Sequence, residues 1–192
     1  MEIKLFVKDY ISKLKNILDQ IDPVIIEEIV TILNKTINTK SKIYILGNGG
    51  SSATASHMVN DLGAGLRRRE VVNLNVVSLG DNSPVVTAIA NDIGYNNIFF
   101  MQMKGLITKD DVIIAISCSG DSPNIIKAVD YAKEMGCTVV GMTGFDGGKL
   151  KRRSDVNFHV DAPIGEYGLV EDSHMILDHI IYSFYIQRGQ DA

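Results

Sequence analysis

The sequence predicts an α/β protein: three layers, a mostly parallel sheet flanked by helices, with two extra helices at the N-terminal side. Three observations carry this. Short, nearly all-apolar runs alternate with stretches of helical periodicity. Two of those runs end in turns rich in glycine and serine that open helices. Strands apolar on both faces belong to parallel sheets covered by helices on both sides.

Residues 2–20 set Ile3, Phe6, Val7, Tyr10, Ile11, Leu14, Ile17 and Leu18 at helical spacing. Asp22-Pro23 then supplies an N-cap and a proline at the first helical position, starting a second helix that runs to 37. The apolar faces of this pair are expected to pack on the sheet or on another subunit. After them, 42–46 reads as strand and 51–62 as helix. Residues 71–79 read as strand, 83–91 and 96–106 as helix, and 111–116 as strand. Residues 123–135 follow as helix and 138–143 as strand. A short strand at 156–160 and a long helix at 169–185 close the chain. One domain is expected over 1–192, with 1–38 a helical pair for packing or oligomerisation and 42–188 the α/β core.

Composition narrows the function classes. Of 192 residues, 45% are hydrophobic and 22% charged, enough apolar material for a real core. The net charge of −4 argues against a nucleic-acid binder. The basic clusters Arg67-Arg68-Arg69 and Lys149 to Arg153 read as solvated surface. Cys118 and Cys137 lack metal-site or redox spacing, so neither a disulfide nor a thiolate site is expected. No apolar run approaches 18 residues and the start does not resemble a signal peptide, so a cytoplasmic protein is expected, not a membrane one.

The two turns carry the strongest signal. Gly47-Asn48-Gly49-Gly50-Ser51-Ser52 follows the first strand, and Ser117-Cys118-Ser119-Gly120-Asp121-Ser122 precedes Pro123. A helix N-terminus presents unpaired N–H groups and a partial positive charge to an anion. In open parallel sheets, ligands bind beyond the carboxyl ends of the strands at a switch point. A phosphorylated ligand between the strand ends is therefore expected. Ser52 stands where a dinucleotide fingerprint needs its third glycine, and no Gly-Lys-Ser/Thr follows.

Other candidates are titratable. His57 and Asp61, four apart, share one helix face and suit either a metal or proton transfer. The closing helix holds Glu171, Asp172, His174, Asp178 and His179 among apolar residues, where polar groups need partners. Helical geometry leaves their pairing open. Asp172 and His179 share a face, while Glu171 and His179 are offset by about 80°. His159 reads as structural. Asp92 reads either as a helix-end residue or as a group facing the cleft.

At this point the chain resembles the sugar isomerase (SIS) domain family and, within it, the phosphoheptose isomerases. The resemblance rests on Gly47-Asn-Gly-Gly-Ser51 with His57, Ala90-Asn91-Asp92 and Ile116-Ser-Cys-Ser-Gly-Asp-Ser122. Met142-Thr-Gly-Phe-Asp-Gly-Gly-Lys149 and the closing-helix set Glu171, His174 and His179 complete it. The resemblance implies a flavodoxin-like SIS fold and a homotetramer with active sites between subunits. It implies conversion of D-sedoheptulose 7-phosphate to a D-glycero-D-manno-heptose 7-phosphate for a surface polysaccharide. Ser117, Ser119 and Ser122 would hold phosphate, with the backbone N–H of Cys118. Asn48, Gly49, Gly50, Ser51, Asp92 and Glu171 would line the sugar site. His57, Asp61, Glu171 and His179 match zinc-binding positions, and Asp61 with His179 matches the acid/base pair.

Three positions depart from the family pattern: Asp61 replaces a glutamate, Glu171 a glutamine and Gly168 an aspartate. These bear on the substrate more than on the chemistry. The alternative reading is a non-catalytic SIS module that binds a phosphosugar or a protein, like the DnaA initiator-associating protein DiaA. That relative lacks the groups matching Asp61 and His179.

Overall fold

The structure, a computed structural model, describes residues 2–190, so both ends of the expected 1–192 unit lie outside the described residues. Helices α1 (Ile3–Leu18) and α2 (Pro23–Thr39) lead the chain. Asp22 caps α2 by accepting the Val24 N–H at 2.9 Å, ahead of Pro23. Five strands follow: β1 (Lys42–Gly47), β2 (Asn75–Ser78), β3 (Val112–Ser117), β4 (Thr138–Gly144) and β5 (Val156–Val160). All pair in parallel, in the order β2-β1-β3-β4-β5. The chain reverses direction across the sheet between β1 and β3, which makes that boundary the switch point.

The apolar strands work as the sequence predicts. Ile43 and Ile45 of β1, with Val112, Ile114 and Ile116 of β3, pack on one face with Leu33 of α2 and Leu177. Tyr44 and Leu46, with Ile113 and Ala115, pack on the other with Ile125 and Val129. The period-two alternation thus feeds two cores rather than one core and solvent. The helices of the first face are α2, α3 (Gly50–Met58) and α9 (Tyr167–Gln190). The second face is covered by α7 (Pro123–Glu134) together with residues near α6 (Phe100–Met103).

Several elements differ from the sequence reading, for local reasons. β2 covers Asn75–Ser78 only, because its ladder begins at Lys42↔Asn75, where β1 itself starts. Val71 and Val72 pack irregularly against the first core. The expected 96–106 helix is a 3₁₀ turn (Tyr95–Asn97) and the short α6. α5 (Ser83–Ile93) precedes them, with Asn82 accepting the Val85 N–H as its cap. A six-residue helix, α8 (Gly148–Arg153), was not anticipated; only Leu150 anchors it in the core. The helix expected at 51–62 runs instead as α3, a π-helical segment (Val59–Gly65) and α4 (Leu66–Arg68). Among the described residues no helix is long and apolar enough to cross a membrane.

One buried carboxylate ties the lower edge of the sheet together. Asp111 accepts the Lys42 N–H at 2.8 Å with one oxygen, and the Thr108 N–H at 2.8 Å with the other. Replacing it leaves two backbone donors without partners. Asp111→Ala is expected to cost at least about 2 kcal/mol, read from the midpoint of urea unfolding at unchanged slope.

Candidate active site

Both glycine/serine turns leave the sheet at the switch point, because Gly47 of β1 pairs beside Ile116 of β3. A reciprocal amide pair locks them together. Asn48 Nδ2 donates to Asn124 Oδ1, and Asn124 Nδ2 donates to Asn48 Oδ1, both at 2.9 Å. Asn124 is 1% exposed, and its Oδ1 also accepts the Ile125 N–H. The Tyr95 hydroxyl donates to Asn48 Oδ1 at 2.9 Å. The side chain of Asn48 is thus committed to the scaffold, and its role in the site is to place the turns.

Within the second turn, Ser117 Oγ accepts the Gly120 N–H and stands 3.3 Å from Ser122 Oγ. Ser119 Oγ accepts the Asp121 N–H. The Ser122 side chain does not cap α7, Pro123 has no N–H and the Ile125 N–H is taken by Asn124 Oδ1, so the Asn124 N–H and the partial charge of the helix are left for an anion. The first turn is different. Gly50 touches the Glu171 carboxylate so closely that any Cβ there would collide with it. Burial, and after it the Glu171 charge, push the Cys118 thiol up. Glu171 therefore stands between the two turns and repels an anion at the start of α3. The second turn is the better seat for a phosphate.

Farther along the same helices lies a second centre. α3 and α9 run side by side in the same sense, Glu171 meeting Gly50 and His179 meeting His57. His57 Nε2 lies 3.1 Å from His179 Nε2, 3.5 Å from Asp61 Oδ2 and 3.9 Å from Asp178 Oδ2. The ligand atoms of these four residues all fall within 4.8 Å of one another. A tetrahedral ion with bonds near 2 Å has ligand–ligand edges of about 3.3 Å, so the set fits a divalent cation in size and in chemistry. Asp61 sits in the first turn of the π-helical segment, where an extra residue per turn re-aims side chains. Asn60 Nδ2 holds its other oxygen at 2.7 Å.

Asp178 is the residue that sequence reasoning left unassigned. It is fully buried, and neither carboxylate oxygen has a hydrogen-bond partner. Burial, with the neighbouring Asp61 charge, raises its pKa to about 7. Its clue was only that it is one of five ionisable groups in an apolar helix. Glu171, which the resemblance placed among the zinc positions, is not in the converging group. Eight residues along a helix separate it from His179 by about 12 Å.

The remaining expected residues divide. Ser51 is buried beside Cys118. Gly49 is exposed at the tip of the first turn. Asp92 is exposed at the end of α5, accepting from Asn91 Nδ2, with no hydrogen bond to either turn among the described residues. Gly168 lies against α1: its Cβ would stand 2.9 Å from the Tyr10 hydroxyl. That hydroxyl donates to Asp172 Oδ2 at 2.7 Å, so Tyr10 fills the room a larger side chain would need.

A switch-point cleft with a phosphate-suited turn and a His/Asp centre suits an enzyme that acts on a phosphorylated small molecule. The family model of the SIS domain matches residues 9–144. Phosphoheptose isomerase of Helicobacter pylori strain P12 is 37% identical over 156 residues, covering 81% of this chain and 80% of the relative. That of Trichlorobacter lovleyi is 35% identical over 164 residues, 85% of this chain and 82% of the relative. The structure of phosphoheptose isomerase GmhA from Neisseria gonorrhoeae, 26% identical, matches with a TM-score of 0.84 over 96% of this chain and 97% of that one. The chain belongs to the SIS domain family and, within it, to the phosphoheptose isomerases.

Behind the site, His174 is fully buried with Nε2 3.3 Å from the Thr143 carbonyl oxygen. Burial lowers its pKa to about 4. The folded protein therefore keeps this ring neutral where the unfolded chain protonates it, below about pH 6.5. Its contribution to stability is complete above pH 6.5 and is lost as pH falls towards 4. The difference in unfolding free energy between the wild type and His174→Gln is expected to shrink by about 3 kcal/mol over that window, measured by urea titration at a series of pH values.

Proposed function

We propose that the chain interconverts D-sedoheptulose 7-phosphate and D-glycero-D-manno-heptose 7-phosphate through an enediol, supplying heptose to a surface polysaccharide. What carries this reading is the convergence of Asp61 and His179 on one centre, in a chain whose second serine turn suits a phosphate. Backbone N–H groups at 118–122, with Ser117, Ser119 and Ser122, hold the phosphate. Glu171, Ser51 and Asp92 face the hydroxyls.

Asp61 removes the proton on the carbon next to the carbonyl, and the same oxygen returns it to the neighbouring carbon. His179 moves a proton between the two sugar oxygens. Fixing the phosphate keeps the reacting carbon near Asp61. His57, Asp61 and His179 are the residues to hold zinc, which when bound would polarise carbonyl and hydroxyl oxygens of the sugar. Residues 1–192 act as one SIS domain in the cytoplasm. The leading helices take part in a homotetramer with active sites between subunits. Support for that assembly comes from α1, which buries no residue and leaves Ile3, Leu5 and Phe6 exposed.

The test is proton NMR of the zinc-supplemented protein with sedoheptulose 7-phosphate in D₂O. Deuterium is expected to enter at the carbon next to the carbonyl. Asp61→Asn is expected to slow that exchange by roughly 10²-fold or more while sugar binding persists. Exchange at the wild-type rate in Asp61→Asn overturns the assignment of the base. Sugar binding without exchange in the wild type points to a non-catalytic module.

A further inference from the structure

We infer that Asp178, and not Glu171, is the fourth protein ligand of the divalent cation held by His57, Asp61 and His179. The inference rests on the metal-assisted reading above and names the chain's own coordination set.

Three observations converge on it. Asp178 Oδ2 lies 3.9 Å from His57 Nε2, and its ligand atom falls with those of His57, Asp61 and His179 within 4.8 Å of one another. Both oxygens of Asp178 are buried and have no donor among the described residues. A buried carboxylate without a partner is costly, and a cation is what such a group lacks. The two imidazole nitrogens stand 3.1 Å apart, where two lone pairs repel unless a proton or an ion lies between them.

Glu171 is excluded within one subunit by distance. It sits on Gly50, about two helical turns from His179, well beyond the 4.8 Å that spans the four converging ligand atoms. Within one subunit, the substitution of glutamate for the usual glutamine therefore bears on the sugar cleft rather than on the ion. The ion instead meets two carboxylates and two neutral imidazoles, a set that balances a divalent charge. That set needs no change in backbone: Asp178 and His179 are neighbours on α9, and His57 and Asp61 face them from α3 and the π-helical segment. The widened turn brings the short Asp61 side chain to the same point.

The test uses the full chain, stripped of metal, as wild type, Asp178→Asn and Glu171→Gln. Zn²⁺ affinity is measured by competition with a chromogenic chelator, and Co²⁺ is added to read the ligand field in the visible spectrum. The wild type is expected to bind one Zn²⁺ per chain. Asp178→Asn is expected to weaken binding at least about tenfold and to shift the Co²⁺ bands. Glu171→Gln is expected to stay within about threefold with an unchanged Co²⁺ spectrum. Metal-free Asp178→Asn should melt at or above the wild type, since asparagine removes an uncompensated buried charge. Its Zn²⁺-dependent rise in melting temperature should be largely lost.

Wild-type affinity in Asp178→Asn, or loss of affinity in Glu171→Gln, overturns the assignment; in the second case Glu171 of another subunit completes the set. Failure of the wild type to bind either ion overturns it too. The isomerase reading fails separately. If no sugar exchanges deuterium while the affinities fall as expected, the coordination set stands and the reaction does not.

Discussion

The reciprocal amide pair of Asn48 and Asn124 is the contact on which the site depends. It joins the turn after β1 to the start of α7, across the point where the sheet changes direction. Each asparagine satisfies the other's donor and acceptor in a buried setting, where an unpaired amide is costly. Fixing one turn therefore fixes the other. The serines of the second turn take their positions from a loop that cannot drift from the first.

From that joint the two reactive ends follow by helix geometry. α3 starts at the first turn and α9 lies beside it, so the rise along both helices sets how far the His/Asp centre lies from that turn. The Glu171 carboxylate on Gly50 puts a negative charge at the first turn, which favours the second as the seat of an anion. Two helix N-termini with similar intrinsic attraction for phosphate are made unequal by one side chain. The same side chain carries a negative charge where the family pattern has a neutral amide.

Much of this was legible in the sequence. The strands were readable because both faces are buried, so β1, β3 and β4 are apolar at most positions. The turns were readable because glycine, serine and proline mark a strand-to-helix junction chemically. His57 and Asp61 were readable because four residues of helix bring side chains to one face. The π-helical segment was not, since it widens the turn without a sequence mark. Asp178 escaped because it neighbours His179, and adjacent helical residues point about 100° apart; only the packing of α3 on α9 shows that both edges face one centre. Asn124 escaped because its partner is 76 residues away, beyond any local pattern. Glu171 was placed with the metal by resemblance, which carries position but not rise along a helix. β2 was overread because Val71 and Val72 favour a strand, while the strand that would pair with them has not yet begun.

The central claim is that the second turn holds the phosphate and the His/Asp centre holds the carbonyl end. The most direct measurement is a crystal structure of the protein with sedoheptulose 7-phosphate. The account predicts phosphate oxygens within hydrogen-bond reach of the N–H groups at 118–122, with the carbonyl carbon beside Asp61 and His179. Phosphate seated on the turn at 47–52, with the carbonyl end away from Asp61, would contradict it.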